Sequence, residues 1–168
     1  MATIEQYQSG WIRKASKQAV DLMQTTDGPI LETDYGQVIY HEIQSFAPLR
    51  TSVEQAIQFI EKADICAVGE RTCRCNYEDA PYTETVFLNE LARALVEMGT
   101  AKVVSALEAK STLKRYPGYP IVISKVSGSY MEICRSWPSK CIYWNMERHK
   151  VRCIKRINKL SAGTIVTR

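Results

Sequence analysis

The residues best equipped for chemistry are six cysteines in two groups: Cys66, Cys73 and Cys75 fall within ten residues, and Cys134, Cys141 and Cys153 within twenty. Scattered cysteines are usually small core hydrophobes, whereas clustered ones bind soft metals or carry redox chemistry. The grouping suggests a soft-metal site, iron-sulfur in preference, assembled from two distant segments. A four-cysteine zinc site has the same stoichiometry and is the alternative, although Cys73-x-Cys75 is tighter than a zinc knuckle. Cys66 lies in the apolar run ICAV and reads as core.

The neighbours of these cysteines suit a negatively charged cluster. Arg71, Arg74, Arg135 and Arg152 adjoin them and would offset thiolate charge, while Trp137, Tyr143 and Trp144 would shield the site from water and oxygen. Other chemistry is thinly represented. His41 and His149 are the only histidines, and a Cys-His nucleophilic pair needs the fold to bring one of them to a thiolate. The glycine-containing stretches Val68-Gly69-Glu70 and Ser127-Gly128-Ser129 are too short for a phosphate loop.

At 168 residues the chain fits one globular domain that needs no cross-links to fold. No apolar run resembles a secretory signal or a membrane span, so a cytoplasmic protein with reduced thiols is expected. Its formal charge of +4 is unevenly spread. From Arg135 to the end there are nine Lys or Arg against one acid, Glu147, a net of +8 that leaves −4 for the first 134 residues. Such a segment suits an acidic redox partner or a larger enzyme complex, with nucleic acid as the alternative.

The elements that must position these groups follow from periodicity and punctuation. Residues 3–24 predict an amphipathic helix through Ile4, Tyr7, Trp11, Ala15, Ala19, Leu22 and Met23. The stretch that follows, with its Gly and Pro, predicts irregular chain and a short strand near Val38–Glu42. Ser52 and Gln55 predict a capping box, as do Ser105 and Glu108. Strands are expected at 65–68, 101–104 and 121–126, and a long helix from Thr83 to Gly99. Beyond Gly128 the chain predicts a helix to Arg135, a break at Pro138, and a second helix towards Cys153. Cys134 would then end one helix and Cys141 begin the next, where the helix dipole favours a thiolate. The expected fold is α/β or α+β, a small mixed sheet with flanking helices, an N-terminal amphipathic helix and a basic C-terminal helical segment. Its parts are an N-terminal helix and connection at 1–50, an α/β core at 51–128 and the cysteine-containing basic segment at 129–168.

One stretch resembles a known family. RTCR at Arg71–Arg74, VFL at Val86–Leu88, GTAKVVSALEAKSTL at Gly99–Leu113 and PIVISKV at Pro120–Val126 follow one another in the order of iron-sulfur, ferredoxin-like proteins of anaerobic bacteria and archaea. The resemblance covers about 60 residues. Arg71 and Phe87 stand where that family has cysteines, so Cys73 alone matches a family ligand. The resemblance implies a four-iron four-sulfur cluster with Cys73 as one ligand; the basic segment offers Cys134, Cys141 and Cys153 as the other three, with Cys75 in reserve for Cys153 and Arg74 and Arg135 beside the site. The implied role is that of an electron carrier or accessory subunit of an anaerobic redox enzyme complex. Two alternatives stay open: a nucleic-acid-binding or regulatory module with a structural or redox-sensing cysteine site, and a thiol-dependent enzyme using Cys73 or Cys141.

Overall fold

The computed structural model describes residues 2–156. Its centre is a seven-stranded mixed sheet in the order β4-β2-β3-β6-β5-β1-β7, flanked by seven α-helices among the described residues. The strands are β1 (Leu49–Thr51), β2 (Cys66–Glu70), β3 (Glu84–Leu88), β4 (Ala101–Val104), β5 (Ile121–Val126), β6 (Ser129–Arg135) and β7 (Lys155–Arg156). Every pairing is antiparallel except β1 with β7. The helices are α1 (Ile4–Gln8), α2 (Trp11–Thr25), α3 (Asp34–Phe46), α4 (Val53–Glu61), α5 (Asn89–Glu97), α6 (Ala106–Lys114) and α7 (Ile142–Arg148).

Local signals account for much of this. Ser52 and Ser105 cap α4 and α6 with the expected capping boxes. The N-terminal amphipathic helix forms in two pieces, because Gly10 takes a left-handed conformation (φ 73°) between α1 and α2. Ser127 and Gly128, with φ 48° and 85°, make the two-residue turn that joins β5 to β6.

Three segments depart from the periodicity. Residues 34–46 form helix α3 rather than irregular chain with a strand: Thr33 caps it through Gly36 N–H, and Ile39, Ile43 and Phe46 bury one face at helical spacing. Residues 84–88 form strand β3 rather than the start of a long helix. Val86, Phe87 and Leu88 are all buried, the pattern of a central strand covered on both faces, and only Asn89–Glu97 continue as helix.

The third departure matters most for the site. Residues 129–135 are the strand β6, paired with both β3 and β5, so the segment 129–168 begins in the sheet and its helical part is α7 alone among the described residues. The residues after Arg156, Lys159 and Arg168 of the basic segment included, lie outside the described residues. Adjacent residues of a strand face opposite sides of its sheet. Glu132 and Cys134 therefore point to the side covered by α1 and α2, while Arg135 points to the other and reaches the end of α6.

Candidate functional site

A cavity of about 120 Å³ lies between the sheet and helices α1, α2, α3 and α7. Three of the six cysteines line it: Cys73 from the loop after β2, Cys134 from β6 and Cys141 from the turn that caps α7. Arg71, Arg74, Tyr7, Trp137 and Tyr143 share its walls. Cys134 and Cys141 are buried and Cys73 is half-buried.

The loop between β2 and β3 delivers Arg71, Cys73 and Arg74. Arg71 N–H donates to Thr83 O at 2.7 Å, extending the β2–β3 ladder by one step, and a turn of 3-10 helix at Arg74–Asn76 follows. Arg71 forms a buried ion pair with Glu132, which also accepts a 2.8 Å hydrogen bond from Tyr7 Oη. Burial works against the Arg71 charge, yet the nearby Cys73 and Cys134 thiols and Tyr7 hold its pKa above the ordinary arginine value, and contact with Glu132 acts the same way. Arg71 Nε is buried without an acceptor among the described residues. Arg74 is 2% exposed. Its guanidinium stacks 4.0 Å from the Tyr82 ring centre and donates from Nη1 to Glu84 O at 3.4 Å, with no carboxylate partner among the described residues. Two buried guanidinium groups thus stand against one fully buried carboxylate.

Cys141 meets a different environment from the one its position beside a helix start suggests. Burial pushes its thiol up to about 12, with Cys134 and Cys73 adding to the rise, and this outweighs the backbone N–H groups of Trp144 and Tyr143 that act to lower it. In the absence of a bound cation the thiol is protonated at neutral pH. Metal binding there must displace the proton.

The other predicted residues lie elsewhere. Cys153 is buried behind α7, where its thiol donates to Tyr143 O at 3.4 Å, and it does not line the cavity. Cys75 donates to Glu70 Oε2 at 3.3 Å, and burial followed by that hydrogen bond lifts it to about 11. Arg135 spends its donors on Leu113 O (2.6 Å) and Tyr119 O (2.7 Å), on the far side of the sheet from Cys134. Trp144 lies near Arg50 and Arg156 instead of the cavity, and His149 sits between Met23 O (2.6 Å) and Gly28 O (3.2 Å). Cys66 is a core residue of β2.

Sequence reasoning missed the ion pair, Tyr7 and Glu42. Glu132 carries no local motif, but an acid two residues from Cys134 inside an apolar strand is a legible anomaly once β6 is recognised. Glu42 of α3 lines the cavity, and its Oε2 is buried with no donor among the described residues.

Among the described residues, no group of three or more His, Cys, Asp or Glu is arranged to hold a metal ion, and no helix is long and apolar enough to cross a membrane. Comparison with known proteins gives no matching family model, curated protein or solved structure.

Proposed function

We propose that the chain is an iron-sulfur protein, an electron carrier or an accessory subunit of a redox enzyme, whose cluster is held by Cys73, Cys134 and Cys141. The observation that supports this reading is that Cys73 and Cys134, about 60 residues apart in the chain, line one cavity together with Cys141, Arg71 and Arg74. A thiolate-ligated cluster is negatively charged, and an arginine-rich, largely apolar surrounding is what such a group needs. These donors suit it in type and charge and supply three of the four thiolates that such a cluster usually takes.

When bound, the cluster would supply one-electron transfer. The roles of this chain's own residues follow from their chemistry. Cys73, Cys134 and Cys141 would give up their thiol protons to bind, and Arg74, which has no carboxylate partner among the described residues, would compensate the added charge. Arg71 is held in place by Glu132 and Tyr7, and Tyr143 and Trp137 limit the approach of water. Cys153 is not part of this set, because α7 separates it from the cavity. The basic residues of α7 and the chain after it, Arg148, Lys150, Arg152 and Lys155, would dock an acidic partner.

The test is anaerobic purification with iron, zinc and acid-labile sulfide measured per chain, and absorption spectra before and after dithionite. Iron and sulfide in equal amounts, bleached on reduction, and lost in Cys73→Ser and Cys134→Ser but retained in Cys153→Ser, is the expected result. About one zinc without sulfide would make the site structural and overturn the electron-transfer reading.

A further inference from the structure

We infer that a second cleft, on the opposite face of the sheet from the cysteine cavity, binds a phosphate group, either free or carried by a small monoester. The cleft lies where β1 runs into α4, beside the loop that leads from α6 to β5.

The register of the strands lays out its floor. Thr51 of β1 is paired with Ile121 of β5, and Ile121 with Arg135 of β6, so the three side chains stand in one row on one face. All three line the cleft. Arg50, one residue before Thr51, belongs to the other face, where its guanidinium lies 5.7 Å from the Trp144 ring centre. Arg135 is therefore the cation of this cleft, and among the described residues no Asp or Glu lines it.

Arg135 is short of a counter-charge. It is 7% exposed, and its Nε and Nη1 donate to Leu113 O and Tyr119 O, which are neutral carbonyls. Among the described residues its Nη2 has no acceptor and its guanidinium no carboxylate. Burial holds its pKa below the ordinary arginine value. A buried cation with no anion beside it costs free energy, and a bound anion offsets that cost.

Two more donors belong to the same cleft. Thr51 Oγ1 is buried with no hydrogen-bond partner among the described residues, a second polar group that a ligand would satisfy. Ser52 caps α4, and Val53, the first residue of that helix, has one of the N–H groups that a helix start leaves without an internal acceptor. Glu54, the acid of the same turn, is exposed and lies outside the lining, so its charge opposes an anion only through solvent.

The donor set selects the anion. A guanidinium nitrogen, a hydroxyl and a backbone N–H at a helix start come from three elements and suit a tetrahedral group with several oxygens. A carboxylate is matched best by two nitrogens of one guanidinium, and Arg135 has already committed Nε and Nη1. Val53, Pro117, Pro120 and Ile121 add apolar walls, and a volume of about 330 Å³ leaves room for a short ester chain beside the phosphate.

The test titrates the full-length, isotope-labelled protein with inorganic phosphate, ethyl phosphate and acetate, read by proton–nitrogen NMR and calorimetry. Millimolar phosphate should move the Val53 amide and Arg135 Nε–H signals and bind about tenfold more tightly than acetate. Thr51→Val keeps the shape of the strand residue and removes only the hydroxyl. It should weaken phosphate about three- to tenfold while the thermal midpoint holds or rises. Gly118→Asp sets a like charge in the lining at a position where an added Cβ meets nothing within 4 Å, and should weaken phosphate about tenfold. Ethyl phosphate binding at least as tightly as phosphate assigns the cleft to an ester; phosphate binding more tightly assigns it to the free anion. Unmoved Val53 and Arg135 signals at millimolar phosphate, acetate binding as tightly as phosphate, or phosphate binding indifferent to either variant would overturn the proposal. The cysteine cavity lies across the sheet, so iron and sulfide in the same preparation test the cluster separately.

Discussion

Glu132 is fully buried in the middle of the sheet, and what makes that tolerable is Arg71 at its carboxylate and Tyr7 Oη donating at 2.8 Å. Such a pair need not stabilise the fold relative to apolar residues, but breaking it from one side is costly. Glu132→Gln leaves Arg71 buried without a counter-ion and should lower the unfolding free energy by about 3–5 kcal/mol in urea titrations. Arg71→Met combined with Glu132→Leu should recover much of the loss. Cys153 makes a second prediction at this scale. Burial, followed by the Glu147 charge, lifts its thiol to about 12, whereas an unfolded cysteine titrates near about 8.5. The folded pKa is the higher one, so the contribution of this thiol to stability is fully present below the unfolded value and is lost as pH rises towards 12. Cys153→Ala should therefore be less stable than the parent at pH 7 in chemical denaturation, and the gap should narrow as the titration is repeated up to pH 11.

Helix α3 shows how one element shapes the cavity. It carries Tyr35, Val38, Ile39, Glu42 and Phe46 to the walls, and it starts where Thr33 caps the first turn against the chain at Ile30. Gly36 is what permits that approach. A methyl group at this position would run into the carbonyl of Ile30 and come within 2.8 Å of Thr33 Oγ1. By helix propensity alone Gly36→Ala would stabilise by about 1 kcal/mol. Here the clash wins, and the variant should be less stable by about 1–3 kcal/mol, as for other overpacked sites. A thermal melt of Gly36→Ala against the parent decides the sign.

At the scale of the whole molecule, the cavity exists because the two ends of the described chain close over one face of the sheet. Tyr7 reaches Glu132, Ala2 O accepts from Ser127 N–H at 2.8 Å, and Gln24 Nε2 donates to Ser139 O at 2.6 Å. On the other face α4 and α6 pack against one another, joined at the surface by Lys110 and Glu61. The N-terminal helices are thus part of the same core as the strands, since Tyr7, Ile12, Ala19 and Met23 belong to it together with Val86, Ile123 and Ile133. Widening the cavity means separating α2 and α3 from the sheet, so its size and the stability of the fold are coupled.

What the sequence by itself determined were the parts that depend on near neighbours. The capping boxes at Ser52 and Ser105 rest on residues three apart, the strands near 66–70, 101–104 and 121–126 on short apolar runs, and the α/β or α+β class on their alternation with helices. The grouping of the cysteines was legible in the same way. Only the tertiary structure decided which of them line one cavity. Cys134 was expected at a helix end, but Val86 and Ile123 pair with its neighbour Ile133, and those partners lie 47 and 10 residues away in the chain. Once the segment is a strand, Cys134 and Arg135 must face opposite sides of the sheet, so the thiol enters the cavity and the guanidinium leaves it. The same long-range packing buries Cys141 deeply enough to cancel the helix-start effect and places Cys153 behind α7. Periodicity reports how a segment suits its own neighbours; the side of a sheet that a residue faces, and the partner it meets there, are set by strands that the local sequence does not contain.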